Sequence, residues 1–357
     1  MTPAHTNPCY IVTGGAGFVG SNVVAELLRR DPAARVVVVD PCMSGSFANV
    51  IEACERRGVA PFSGEWIAQA VGEIDWRSIL GHLRPAAIFH LGAITDTTVL
   101  DERHMLLTNL GGFSAEKPGS LLLECALLGT RLVYASSAAT YGSPPEMASR
   151  TPFPVTAAGK PNNIYGFSKW LMECEHHRLT AAHPAAHVVG LRYFNVFGPG
   201  ESRKGKMASM AFQLAQQLLA GKCPRLFADG SQARDQVHVD DVVDCTIHAA
   251  GLRPRGTPVT PVTPVKPGIY NLGSGRATSF REIIGAVRTG LGLDEHTLPT
   301  DYFEMPASIR AFYQDWTCAD MSLTQSGLGW SPRVNPADGI VSYSRHLRAT
   351  HVSPTTP

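Results

Sequence analysis

The run Tyr10-Ile11-Val12-Thr13-Gly14-Gly15-Ala16-Gly17-Phe18-Val19-Gly20 constrains this chain more than any other segment. An apolar, β-branched stretch leads into glycines at 14, 17 and 20, and a helical pattern then runs over Gly17 to Arg30. Strand, tight turn and helix in that order bring backbone amides close to a pyrophosphate, whose charge meets the free N–H groups and positive dipole end of the helix. A second strand, Arg35 to Asp40, ends in a carboxylate about twenty residues later, placed to accept hydrogen bonds from an adenosine ribose. These features predict a dinucleotide site on Gly14, Gly17, Gly20 and Asp40. The following Pro41-Cys42-Met43-Ser44-Gly45-Ser46-Phe47 offers no Lys or Arg to a 2′-phosphate, so of NAD and NADP the sequence favours NAD.

Further strands are expected at Cys9 to Thr13, Ala86 to Leu91, Arg131 to Ser136 and His187 to Asn195, and a further helix at Ser168 to Ala182. Several of these strands are apolar throughout, as in a parallel sheet covered on both faces. The predicted fold class is α/β: a Rossmann-like doubly wound parallel sheet with a smaller, mixed α/β C-terminal substrate domain. The first domain is expected over residues 1–195 with a returning segment near 236–252, and the second over 196–235 and 253–350. Five prolines within 253–267 predict an exposed, semi-rigid loop, and 351–357 a frayed tail.

Composition excludes several classes. Thirty-one basic and 30 acidic side chains nearly cancel, which gives no general electrostatic case for nucleic acid or a membrane surface as partner. No stretch approaches the roughly 18 apolar residues of a membrane span. The eight cysteines are scattered without a C-x-x-C pair, which suits a reducing compartment and predicts a cytoplasmic protein.

Tyr165 and Lys169 lie four apart in Asn163-Ile164-Tyr165-Gly166-Phe167-Ser168-Lys169, on one face of a helix. An ammonium beside a phenol would lower the phenol's pKa and make Tyr165 an acid/base, while Lys169 could also hold a cofactor ribose. Tyr134-Ala135-Ser136-Ser137-Ala138-Ala139-Thr140-Tyr141-Gly142 puts hydroxyls at the C-terminal end of a strand, where open α/β sheets bind ligands, and Ser137 is the candidate to hydrogen-bond a reacting oxygen.

Glycine turn, Ser and Tyr-x-x-x-Lys in that order resemble the extended short-chain dehydrogenases over essentially the whole chain. The family's sugar-nucleotide 4,6-dehydratases carry an acidic pair after the catalytic hydroxyl. Here the pair is Ala138 and Ala139, which leaves epimerisation or simple oxidoreduction. Leu191-Arg192-Tyr193-Phe194-Asn195-Val196-Phe197-Gly198-Pro199, followed by Arg203-Lys204-Gly205-Lys206-Met207, closely resembles ADP-glyceromanno-heptose 6-epimerases. Leu226-Phe227-Ala228-Asp229-Gly230-Ser231 and Arg234-Asp235-Gln236-Val237-His238 agree with that resemblance.

The resemblance implies an isomerase whose substrate is a nucleotide sugar, with transient oxidation at C6 of the heptose. It makes Lys204 a second base opposite Tyr165, though neutralising a diphosphate or sitting in solvent remain alternatives for it. Implied cofactor contacts are Phe18, Val19, Leu91, Gly92, Ala93, Asn109, Tyr165, Lys169 and Val196. Implied substrate contacts are Asn195, Lys206, Gln213, Phe227, Arg234 and Tyr313. Asn195 could equally be a strand-end structural residue, and Asn109 a helix cap. A homo-oligomer is implied without a subunit number. Alternatives to the heptose epimerase are a hexose 4-epimerase and a non-catalytic dinucleotide-binding regulator.

The departures from the family pattern are definite. Two cofactor-side lysines are absent, one position being Trp76, while a serine becomes Lys206 and a histidine Gln213. Pro118 and Gly119, in an insertion around Phe113 to Gly119, would interrupt a helix that the family continues. No metal site is expected: Cys174, His176 and His177 read as an exposed helix face. His238-Val239-Asp240-Asp241 reads as a helix start, and His90 as a packed residue.

Overall fold

A computed structural model describes residues 7–252, 264–304 and 313–351. Among the described residues twelve strands run in chain order as β1 (Cys9–Thr13), β2 (Arg35–Val39), β3 (Glu65–Ile67), β4 (Ala87–His90), β5 (Arg131–Ser137), β6 (Val188–Tyr193), β7 (Asn195–Phe197), β8 (Arg225–Phe227), β9 (Ala233–His238), β10 (Gly268–Leu272), β11 (Ala277–Ser279) and β12 (Asp301–Phe303). Seven of them form one parallel sheet in the order β10-β6-β5-β4-β1-β2-β3.

Strand alternation divides this sheet's side chains between two cores. Val12, Val36, Val38, Phe89, Val133 and Leu191 face the helices Phe18–Arg30, Phe47–Arg56 and Val239–Ala249. Ile11, Val37, Val39, Ile88, Leu132 and Val188 face Trp76–Leu83, Leu121–Leu128 and Ile164–Ala182. Because both faces are covered, the strands need no polar alternation, which explains their runs of Val and Ile.

A smaller lobe carries the mixed sheet β11-β9-β7 and the pair β12-β8. Its core is built by helices Met210–Leu219, Phe280–Leu291 and Pro336–Thr350, through Leu214, Leu218, Ile283, Val287, Ile340 and Leu347. The helix at Phe280 starts on a reciprocal Ser279–Glu282 capping box and ends on Gly292 at φ 66°, so its bounds follow from local chemistry.

The expected strands and first helix are present, with shifts of one or two residues at their ends. The second helix starts earlier than expected, at Ile164, because Asn163 accepts a hydrogen bond from the Gly166 amide and caps it. β10 lies within the span expected for the substrate domain, yet it pairs with β6 at the edge of the large sheet. Pro118 and Gly119 do separate two helices, Glu102–Leu110 and Leu121–Leu128. Phe113 in that insertion is buried against His90 and Tyr134. Of the proline-rich loop, residues 253–263 lie outside the described residues, as does the tail beyond His351.

Candidate active site

The glycine turn follows β1 at the centre of the sheet. Gly14 sits at φ +67°, and a Cβ there would meet Gly92 backbone atoms at 2.6 and 2.7 Å. A Cβ on Gly20 would collide with the Gly14 carbonyl oxygen. Gly17 is the N-cap of Phe18–Arg30 and brings no side chain to the helix's first amides, which stay available to an anion. This cradle, which side chains would fill, fits a dinucleotide pyrophosphate. Asp40 is buried beside it and accepts from the Ala16 amide at 2.9 Å and the Cys42 amide at 2.8 Å. Each carboxylate oxygen retains acceptor capacity for a ribose hydroxyl.

Leu91, Gly92 and Ala93 continue from β4, with Gly92 packed against Gly14. Asn109 holds the next residue from both sides, accepting from the Ile94 amide at 2.7 Å and donating to its carbonyl at 3.1 Å. It also donates to Ser168 Oγ at 2.9 Å. Asn109 is therefore buried within its helix and caps none; it ties the loop after β4 to the helix that carries Tyr165 and Lys169. Trp76 is fully buried in the core.

Ser137 ends β5; its Oγ accepts from the Ala139 amide at 3.1 Å and lies beside the Tyr165 hydroxyl. The Lys169 ammonium donates to the Ala135 carbonyl at 2.9 Å. Burial brings its pKa down from 10.5 to about 8. The expected lowering of the Tyr165 pKa by Lys169 is absent: burial pushes that hydroxyl above its ordinary value, and only the neighbouring Ser137 hydroxyl opposes it. The ammonium is held at the Ala135 carbonyl, and no counter-charge from it offsets the burial of the phenol. His90 is packed as expected, bonded to Thr13 at 2.8 Å, and burial holds its pKa down to about 3.

From the smaller lobe, the segment Ser202–Met207 brings Lys204 Nζ to 5.5 Å from the centre of the Phe18 ring. Burial lowers the Lys204 pKa, and the Glu201 carboxylate opposes the shift. Lys206 donates to Thr98 Oγ1 at 2.7 Å, and Gln213 donates to the Lys206 and Ala208 carbonyls. Both side chains therefore brace this segment. Asn195 Nδ2 donates to the Asp235 carbonyl at 3.1 Å and so ties β7 to β9, with Val196 next to it on β7. Arg234 lies 4.8 Å from the centre of the Tyr313 ring, which meets Phe227 edge-on at 5.8 Å. These three expected substrate residues do come together.

Residues 10–273 match the NAD dependent epimerase/dehydratase family. The chain belongs to this family. The ADP-L-glycero-D-manno-heptose-6-epimerase of Pseudomonas aeruginosa (strain UCBPP-PA14) is 34% identical, over 94% of this chain and 98% of that protein. The Helicobacter pylori ADP-L-glycero-D-manno-heptose-6-epimerase structure is 32% identical, with a TM-score of 0.76 over 96% of this chain and 97% of that one. A Thermus thermophilus UDP-glucose 4-epimerase in complex with NAD is 26% identical, with a TM-score of 0.74 over 96% and 100% of the two chains. As a member of the family the protein is an isomerase of the epimerase type that uses NAD.

Behind Ser137 this epimerase carries a charge network that none of its motifs announces. Arg192 on β6 forms two hydrogen bonds to Glu173, at 2.8 and 2.7 Å, and a third to the Tyr141 hydroxyl at 3.0 Å. Ser136 donates to the same carboxylate at 2.5 Å, and Tyr141 donates to Asn271 at 2.6 Å. The signal for it is Arg192 itself, a lone charge in an apolar strand that requires a buried partner. His176 departs from the exposed-face reading. It is buried and hydrogen-bonded to the Tyr134 hydroxyl at 3.1 Å, because its helix packs that face on the sheet. Among the described residues no cluster of His, Cys, Asp and Glu could hold a metal ion, and no helix is long and apolar enough to cross a membrane. His238 caps Val239–Ala249, as its sequence suggests.

Proposed function

We propose that this protein epimerises a nucleotide-activated sugar, and that its substrate is ADP-D-glycero-D-manno-heptose, inverted at C6. The observation that carries the reading is the placement of two proton-handling groups from different lobes around the glycine turn's end of the sheet: Tyr165 beside Ser137 at the end of β5, and Lys204 over Phe18, the first residue of the glycine-turn helix. Bound NAD supplies a reversible two-electron oxidation at the sugar carbon. To accept a proton the Tyr165 phenol must first ionise, which the positive nicotinamide ring of bound NAD would favour. Tyr165 is placed to exchange the hydroxyl proton of one epimer, with Ser137 beside the same oxygen. Lys204, whose charged form burial disfavours, does the same for the other epimer after rotation about the exocyclic C5–C6 bond.

Lys169, fixed on Ala135, orients the cofactor ribose beside Tyr165. Arg234 and Tyr313 grip the diphosphate, with Phe227 beside them, since a guanidinium pairs well with phosphate oxygens. Asn195 holds β7 in place, while Lys206 and Gln213 shape the segment that bears Lys204. Among the described residues, those up to 194 with the helix Val239–Ala249 and β10 form the cofactor lobe, and the others form the substrate lobe. NAD is preferred to NADP because Asp40 faces the adenosine end and no cation occupies the loop that follows it. The protein functions as a homo-oligomer.

The test is incubation with ADP-D-glycero-D-manno-heptose, the epimer ratio being followed by proton NMR for wild type and Lys204→Met. Conversion by wild type, lost about 10²-fold or more in the variant, is expected. No conversion by cofactor-loaded wild type overturns the heptose assignment. Conversion of a UDP-hexose at C4, unaffected by Lys204→Met, would establish the reading favoured by the Thermus thermophilus neighbour instead.

A further inference from the structure

Three side chains of the segment Ser202–Met207 reach from the smaller lobe onto the larger, each to a different place. Arg203 donates to both oxygens of the Glu52 carboxylate, at 2.6 and 2.9 Å, and to Asn49 Oδ1 at 2.7 Å. Asn49 in turn donates to the Ala16 carbonyl, inside the glycine turn, at 2.7 Å. Lys204 covers Phe18. Lys206 bonds Thr98 and lies 3.4 Å from the Asp96 carboxylate.

Glu52 and Asn49 belong to the helix that follows β2, and Asp96 and Thr98 to the loop that follows β4. β2 and β4 are the two neighbours of β1. The segment therefore spans the C-terminal end of β1 from flank to flank, over the glycine turn. Gly205, at φ 56° and ψ −127°, breaks the helical path between Lys204 and Lys206, a conformation that side-chain-bearing residues rarely adopt. The base of the segment is closed by buried Glu201, which accepts from the Gly198 amide at 3.1 Å, the Ser209 amide at 2.6 Å and the Ser209 hydroxyl at 2.8 Å.

We propose that residues 202–207 are a strap over the bound dinucleotide, fastened on one flank by Arg203 to Glu52 and Asn49 and on the other by Lys206 to Asp96 and Thr98, and that it slows dinucleotide release. An epimerase restores its cofactor in every cycle, so its dinucleotide need not exchange between turnovers, and a strap that hinders exchange costs no turnover. Each fastener is partly exposed, so each alone is weak and screened by salt. Together they act intramolecularly: when one opens, the other keeps it at high effective concentration, and release requires both to be open.

The experiment loads the holoenzyme with NADH, dilutes it into excess NAD without sugar substrate, and follows the loss of bound NADH fluorescence. Arg203→Ala and Lys206→Ala should each speed release about threefold, and the double variant about tenfold or more. Added salt should speed release from wild type but leave the double variant nearly unchanged. The charge-swapped protein Arg203→Glu with Glu52→Arg should release within about twofold of wild type. Release from the double variant at the wild-type rate overturns the strap, as does a charge-swapped protein as fast as Arg203→Ala. Lys206→Ser, a surface change that leaves the core untouched, gives the same test should the double variant fold poorly. No sugar is turned over, so the strap stands or falls independently of the substrate assignment.

Discussion

Replacing Lys169 by Met isolates the cost of keeping an ammonium in the wall of the cleft. Lys169 is almost wholly buried, and its oxygen partner among the described residues is the neutral Ala135 carbonyl. The fall of its pKa from 10.5 to about 8, at about 1.4 kcal/mol per pH unit, means that the charged side chain destabilises the fold by about 3 kcal/mol. Met fills similar volume without that charge but leaves the Ala135 carbonyl without its donor, which costs about 1 kcal/mol. The cofactor-free variant should therefore be about 2 kcal/mol more stable than wild type at pH 7 while losing epimerase activity.

The sign of its pH dependence follows from linkage. The native state releases the Lys169 proton near pH 8 and the unfolded state near 10.5, so wild type gains stability as pH rises through that window. The advantage of Met is full below pH 8 and fades toward 10.5. Urea unfolding of both proteins at pH 7 and pH 9.5, with cofactor removed, measures it. A variant no more stable than wild type at pH 7, or a gap that ignores pH, would refute the reasoning.

Two further outcomes follow from buried groups. Glu173→Gln leaves Arg192 charged and without its counter-ion in the core, and should cost about 3–5 kcal/mol in urea unfolding; adding Arg192→Met should recover part of that loss. His90 and His176 resist protonation down to about 3, whereas the unfolded chain takes up protons near 6.5. Stability should thus fall as pH drops through that interval, by up to about 1.4 kcal/mol per pH unit for each histidine, and His176→Gln should flatten the slope measured from urea midpoints. Equal slopes in the two proteins would contradict this.

The cofactor half of the site was legible because its chemistry is local. A glycine turn and a Tyr-x-x-x-Lys pair carry their geometry in their spacing, and the strands beside them are written in valine and isoleucine. Tyr313 lies far in sequence from Phe227 and Arg234, and only the resemblance brought it to them. What stayed hidden depends on pairs formed at long range. Arg192 meets Glu173 through the packing of a helix on a strand, and Asn109 meets Ile94 and Ser168 through a loop whose path no periodicity describes. The Tyr165 pKa failed for the same reason: four-residue spacing sets which face Lys169 shares, but the carbonyl of Ala135 decides where its ammonium ends.

The return of the chain to β10 bears on how specificity can be exchanged in this architecture. After building most of the smaller lobe's first half, the chain comes back to lay one helix and one edge strand on the large sheet, then leaves again. Cutting at the apparent boundary near residue 195 would strip β10 from β6 and expose a row of unpaired amides and carbonyls on a hydrophobic strand, a template for aggregation. The two lobes are thus interleaved parts of one folding unit and cannot be swapped as cassettes. Recombination, in the laboratory or in evolution, has to work through the segments at the mouth of the cleft, with the sheet left whole.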